Sequence, residues 1–144
     1  MANTFHVSLN VKNIPEAVAR YRKILGVEPA KLRDDYAKFE LSDPPVILSL
    51  NRNGAPGTVG HLGIRYPETE TVAAELRRAE GDSLAPFRQE GVTCCYAKAD
   101  KFWVHDADGM AWEMYTLLAD AEAEPPPDPE LAKFLAPASG CCAR

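Results

Sequence analysis

The chain has 144 residues, of which 46% are hydrophobic and 26% charged, with a formal net charge of −5. This suits one domain with a real core, or two small modules sharing one, and the acidic balance argues against a nucleic-acid backbone as partner. The longest apolar run, Val46 to Leu50 interrupted by Ser49, is far too short to span a bilayer. No basic stretch followed by an apolar one opens the chain, so no signal peptide is evident and a cytoplasmic location is expected.

Phe5 to Val11 alternates, with Phe5, Val7, Leu9 and Val11 on one face and His6, Ser8 and Asn10 on the other, which predicts a strand. Asn13 suits a helix cap and Pro15 a first turn. Ala17, Val18, Tyr21, Ile24 and Leu25 then recur at helical spacing until Gly26. Weak strand character at Pro29 to Arg33 is followed by better strands at Tyr36 to Leu41 and Val46 to Leu50. Asn51 to Thr58, with Gly54, Pro56 and Gly57, reads as a linker.

The pattern then restarts. Gly60 to Tyr66 alternates in the same phase as the first strand, and Thr69 to Glu80 is helical, with Gly81 expected to close it. At an offset of 55 positions His6 falls on His61 and Gly26 on Gly81, which marks an internal repeat. Further strands are expected near Ala85 to Glu90, Lys101 to Asp106 and Ala111 to Leu117, with a turn at Ala107-Asp108-Gly109. The acidic, Pro-rich segment 119–144 has little to bury and reads as an extended or mobile tail, with one short helical candidate at Glu130 to Leu135.

Each module opens with a histidine at the second position of its strand, on the side away from the face that packs on the helix. Glu113 lies in the last apolar strand, where a carboxylate is costly to bury without a partner. A lone strand histidine is more often a core or surface residue, but two at equivalent places in a repeat point to a shared ion. His6, His61 and Glu113 are the candidate metal ligands, and two imidazoles with one carboxylate leave positions for non-haem Fe(II) and O₂ chemistry. The position equivalent to Glu113 in the first module falls near Ile47, where 45–50 hold no acid or histidine, so three protein ligands are expected. His105 is expected to be exposed. Asp106-Ala107-Asp108-Gly109 with Glu113 has the wrong spacing for a calcium loop, and a hairpin turn accounts for it better.

The four cysteines form two adjacent pairs, Cys94-Cys95 and Cys141-Cys142. Neighbouring Cα atoms stand ~3.8 Å apart, closer than the ~4.4 Å at which most disulfides begin, so free thiols are expected. Thiolates bind soft metals and metalloids. In a regular strand Cys94 and Cys95 would face opposite ways, so joint chelation requires an irregular backbone over about 91–99. Lys98 and Lys101 are expected to lower their thiol pKa. Cys141 and Cys142 form a candidate accessory pair for soft-ion capture.

These segments carry a resemblance. From His6 to about Leu117 the chain is similar to the vicinal-oxygen-chelate superfamily, also called the glyoxalase/bleomycin-resistance fold. Within it, the chain most resembles the carbon–arsenic lyases and their cadmium-induced relatives, through Thr93-Cys94-Cys95-Tyr96, Lys101-Phe102-Trp103-Val104 and Asp108-Gly109 with Trp112-Glu113. The resemblance implies an α+β fold of two βαβββ modules, about 4–52 and 59–118, whose curved mixed sheets enclose the metal in a single domain spanning 1–118. It implies an Fe(II)-dependent dioxygenase of the extradiol type that cleaves the carbon–arsenic bond of trivalent organoarsenicals to arsenite, with O₂ as co-substrate. Iron would sit on His6, His61 and Glu113, and arsenic on Cys94 and Cys95. Partners would be the small organoarsenical, with no nucleic acid or membrane, in a monomer or homodimer. The alternative is a resistance protein that binds cadmium or arsenite without turnover. A metal-dependent thiol transferase leaves the cysteines unused, and a metal-free drug-binding module leaves the histidines unexplained.

Overall fold

A computed structural model describes residues 2–136; Cys141 and Cys142 lie outside the described residues. The first module runs β1 (Thr4–Asn10), α1 (Ile14–Leu25), β2 (Lys31–Arg33), β3 (Tyr36–Ser42) and β4 (Pro45–Asn51). The second runs β5 (Val59–Arg65), α2 (Thr69–Gly81), β6 (Phe87–Cys94), β7 (Ala97–His105) and β8 (Ala111–Asp120), and α3 (Pro129–Leu135) follows. The order matches the βαβββ repeat. All eight strands form one curled mixed sheet, β2-β3-β4-β1-β5-β8-β7-β6. Each module pairs its first and last strands in parallel, β1 with β4 and β5 with β8, and the modules join through antiparallel β1 and β5.

Local chemistry explains the helix ends. Asn13 Oδ1 accepts from the Glu16 N–H at 2.8 Å. Gly26, at φ 71°, donates its N–H to the Arg22 carbonyl, a left-handed cap that glycine adopts without strain. Gly81 does not stop α2 as expected. The helix includes it, Asp82 is the cap, and the chain first turns left-handed at Ser83.

The two helices cover the outer face of the sheet. Ile14 and Val18 of α1 pack on Ala37, Phe39 and Leu50. Val72 and Ala79 of α2 pack with Phe102 and Val104. The inner, concave face is polar yet more deeply buried: His6, Ser8 and Asn10 are buried while Phe5 on the opposite face is 40% exposed. Strand curvature and the pairing of the modules close this face on itself.

The segment expected to be extended from residue 119 is more structured than its composition suggests. β8 continues to Asp120, and α3 docks with Leu131 and Leu135 buried in a cluster with Trp103 and Ala111. Asp128 caps it, its Oδ1 accepting from the Glu130 N–H at 2.9 Å. The short helix anticipated at Glu130 to Leu135 is therefore part of the core. Leu131→Ala should lower the unfolding free energy by roughly 2–5 kcal/mol, the usual range for such a truncation; an unchanged denaturant midpoint would show that α3 contributes nothing to the fold.

Candidate metal centre

Strand register assembles the site. His6 pairs with Gly63 across β1 and β5, and Gly63 pairs with Glu113 across β5 and β8. These three residues form one row across the concave face. His61, opposite Ser8, lies two positions along β5 on the same side. A Cβ on Gly63 would stand 2.3 Å from the Glu113 carbonyl oxygen. Glycine thus permits the close approach of the two strands and keeps side-chain atoms out of the space between His6 and Glu113.

His6, His61 and Glu113 are all buried, and one ligand atom from each can be chosen so that all lie within 4.8 Å of one another. Glu113 Oε1 stands 3.7 Å from His6 Nδ1 and 3.4 Å from His61 Nε2. His61 is 1% exposed and neither ring nitrogen has a hydrogen-bond partner among the described residues. A buried imidazole without hydrogen bonds is costly, and a divalent cation would satisfy it. His6 is held differently: Nδ1 shares a 2.8 Å hydrogen bond with the Tyr115 hydroxyl and Nε2 a 3.0 Å one with Ser49 Oγ. One of those hydroxyls would yield to an ion, while the other fixes the ring. The donor set therefore fits a first-row divalent metal.

The electrostatics keep the candidate ligands in the forms that metal binding requires. Burial, opposed by the Glu113 charge and reinforced by His61 and Lys101, lowers the His6 pKa to about 3. The ring is neutral at neutral pH, as a ligand must be. Burial pushes the Glu113 carboxyl up, but Lys101 and the two histidines outweigh it and hold the group ionised. Burial and the Glu113 charge push the Tyr115 hydroxyl well above its ordinary range.

Lys101 Nζ donates to Glu113 Oε2 at 2.6 Å, with both side chains buried. The ammonium expected to act on the thiols is committed to this carboxylate. The sequence signal was a lysine amid Phe102, Trp103 and Val104; its register opposite Tyr115 puts it on the concave face. Ser49 and Tyr115 were likewise missed as partners of His6, because β4 and β8 reach it only through long-range pairing. His105 stacks on Phe134, ring centroids 4.4 Å apart, remote from the triad. Asp106 Oδ1 accepts from the N–H groups of Asp108 and Met110, each at 2.9 Å, as a hairpin turn requires.

The backbone around the cysteines is irregular, as joint chelation requires, through a bulge and a tight turn. β6 breaks register between Gln89 and Val92, where Gly91 has φ 58°. Cys94 ends the strand, and Cys95 and Tyr96 form a turn with φ 57° and 60°, the left-handed pair typical of a two-residue hairpin. Cys95 thereby leaves the strand alternation, and its Sγ lies 3.2 Å from that of Cys94. At that separation the sulfurs are in hydrogen-bond contact, well beyond the ~2.05 Å of a disulfide bond. Tyr96 anchors the turn: its hydroxyl donates to Asp35 Oδ1 at 2.7 Å, its N–H to Glu124 Oε1 at 2.6 Å, and its carbonyl accepts from Lys31 Nζ at 2.6 Å.

A single cleft of about 30 Å³ is lined by His6, Tyr36, Cys94, Cys95, Lys101 and Glu113, among others. Cys94 and Cys95 therefore open on the same space as His6 and Glu113, with His61 buried behind them.

Residues 4–114 match the Glyoxalase/Bleomycin resistance protein/Dioxygenase superfamily, and the chain belongs to that superfamily. It is 39% identical over 156 residues to a trivalent organoarsenical cleaving enzyme from Bacillus sp. (strain MD1), covering 95% of this chain and 97% of the relative. It is 41% identical over 117 residues to the cadmium-induced protein CadI of Mycobacterium bovis, covering 81% of this chain and 77% of the relative. The fold also superposes on a Mn(II)-bound glyoxalase from Novosphingobium aromaticivorans with a TM-score of 0.60, at 18% identity, over 83% of this chain and 40% of that one. The resemblance to organoarsenical-cleaving and cadmium-induced proteins read from the sequence is thus borne out.

Two consequences can be measured. Gly63→Ala should separate β5 from β8 and abolish divalent-metal binding; metal titration showing wild-type affinity would contradict the row geometry. The unfolded His6 ring protonates below about 6.5 while the folded one resists to about 3. The unfolded chain therefore binds more protons between those values, and metal-stripped protein should lose stability as pH falls through that window. His6→Gln should flatten that part of the stability curve, and an equally steep curve in the variant would assign the effect elsewhere.

Proposed function

We propose that the protein is a non-haem Fe(II)-dependent dioxygenase that cleaves the carbon–arsenic bond of trivalent organoarsenicals, such as methylarsenite, in arsenic detoxification. The observation that carries this reading is the cleft that His6 and Glu113 of the triad share with Cys94 and Cys95. The 39% identical organoarsenical-cleaving relative supports the substrate class.

His6, His61 and Glu113 would hold the iron. When bound, Fe(II) supplies coordination positions for O₂ and the electrons that begin its reduction. Lys101 occupies Glu113 Oε2, which leaves Oε1, the oxygen facing both imidazoles, to the metal. Cys94 and Cys95, as thiolates, bind the arsenic and present its organic substituent to the triad, so the reacting groups meet within one complex. The pair must be reduced to do this, which a cytoplasmic location would maintain. Burial of the triad limits access of water to the reacting groups. O₂ is the oxidant, and the products are arsenite and an oxidised carbon fragment. The narrowness of the cleft is the observation that favours the rival reading, sequestration of arsenite or cadmium without turnover.

Anaerobic reconstitution with Fe(II), then addition of O₂ and a trivalent methylarsenical, should release arsenite. Capture of the arsenical without arsenite release would instead establish sequestration. Replacing Cys94 or Cys95 by Ser should abolish arsenical capture and spare iron binding, while Glu113→Gln should weaken iron binding and spare capture. Equal loss of iron in both kinds of variant would refute this division of labour.

A further inference from the structure

The geometry points to Trp103 as the residue that orients the His61 ring toward the metal, with α3 and Gln89 as its brace. This rests on the reading of His61 as a metal ligand. A ligating histidine ordinarily donates its second ring N–H to a carboxylate, a carbonyl or water, which fixes the ring. His61 has no such bond among the described residues. Its ring instead meets Trp103 edge to face, with centroids 5.0 Å apart and planes at 74°. Packing against a fixed aromatic surface does here what a hydrogen bond does elsewhere.

Trp103 can serve only if it is itself immobile, and the structure shows why it is. It is fully buried. Its Nε1–H donates to Gln89 Oε1 at 3.0 Å, and Gln89 Nε2 donates to Asp128 Oδ2 at 3.4 Å. Asp128 is the cap of α3, whose Leu131 and Leu135 share the buried cluster of Trp103. Three contacts thus connect the cap of the last helix to the ring of a metal ligand. The Lys101 ammonium also lies 5.8 Å from the centroid of the Trp103 ring, so the same indole flanks the cation that holds Glu113. α3 is on this account part of the metal centre.

The test uses Co(II) as the probe, with affinity read by competition against a chromophoric chelator and ligand geometry by the visible absorption bands of the bound ion. Trp103→Leu should weaken Co(II) binding by about 10–100-fold, the usual effect of losing such a support, and should shift or broaden the bands. Trp103→Phe keeps an aromatic surface and should restore most of the affinity and the wild-type spectrum. Gln89→Leu touches no ligand but frees the indole N–H; it should weaken binding several-fold with a spectral change in the same sense. Wild-type affinity and spectrum in Trp103→Leu, or in Gln89→Leu if the former does not fold, would overturn the inference. His61→Ala separates the two levels: its binding Co(II) like wild type would overturn the metal reading itself, whereas its losing Co(II) while the Trp103 and Gln89 variants do not would overturn only the brace.

Discussion

The close pairing of β1, β5 and β8 is the constraint on which the rest depends. It places His6, Gly63 and Glu113 in one row and His61 beside them. A one-residue slip in any of the three strands would turn its ligand to the opposite face. The glycine at the centre makes the row possible, since a Cβ there would collide with the Glu113 carbonyl oxygen. The two modules contribute unequally. Each supplies a histidine from its first strand, but only the second supplies an acid from its last, where the first has Ile47 facing His6 across β4. The two halves of the repeat thus differ, and His6, His61 and Glu113 are the three candidate ligands brought together.

Burying this polar row has an electrostatic cost that the fold meets locally. Glu113 would be strongly disfavoured in an apolar interior if unpaired; breaking a buried ion pair by removing one partner typically costs about 3–5 kcal/mol. Lys101 supplies the opposite charge at 2.6 Å. Neutral His6 then places no further charge inside. The soft donors sit on a different kind of backbone. The candidate nitrogen and oxygen ligands project from strands at the middle of the sheet, whereas the sulfurs lie at the end of β6 and in a left-handed turn fastened by Tyr96. Precise placement suits a metal whose ligand geometry matters; a bent backbone is what lets adjacent cysteines face the same way.

Much of this was legible in the sequence because the signals were local or repeated. Alternation gave the strands, Asn13 and Gly26 bounded the first helix, and the 55-residue offset matched His6 with His61. The oddity of Glu113 in an apolar strand singled it out as the third candidate ligand, and the structure brings it beside the two histidines. The adjacency of Cys94 and Cys95 demanded irregular backbone, and the bulge at Gly91 and the turn at Cys95 provide it. What escaped depends on contacts between distant segments. Lys101 was assigned to the thiols because they are near in sequence, yet it pairs with Glu113 across β7 and β8. Ser49 and Tyr115 meet His6 only through sheet register. The last helix was anticipated at Glu130 to Leu135, but its docking on Trp103 and Ala111 was not, because that contact joins distant segments. Gly81 was read as a stop by analogy with Gly26, but a glycine ends a helix only where the chain turns left-handed, and here that happens at Ser83.

The central claim is that two chemically distinct sites, one of nitrogen and oxygen donors and one of sulfur, face a common space. X-ray absorption at the iron edge of the Fe(II)-loaded, reduced protein, recorded with a trivalent arsenical bound, tests it most directly. The account predicts an iron shell of nitrogen and oxygen only, with the outer-shell scattering of two imidazoles and no sulfur. Iron–sulfur scattering, or the absence of imidazole, would contradict it.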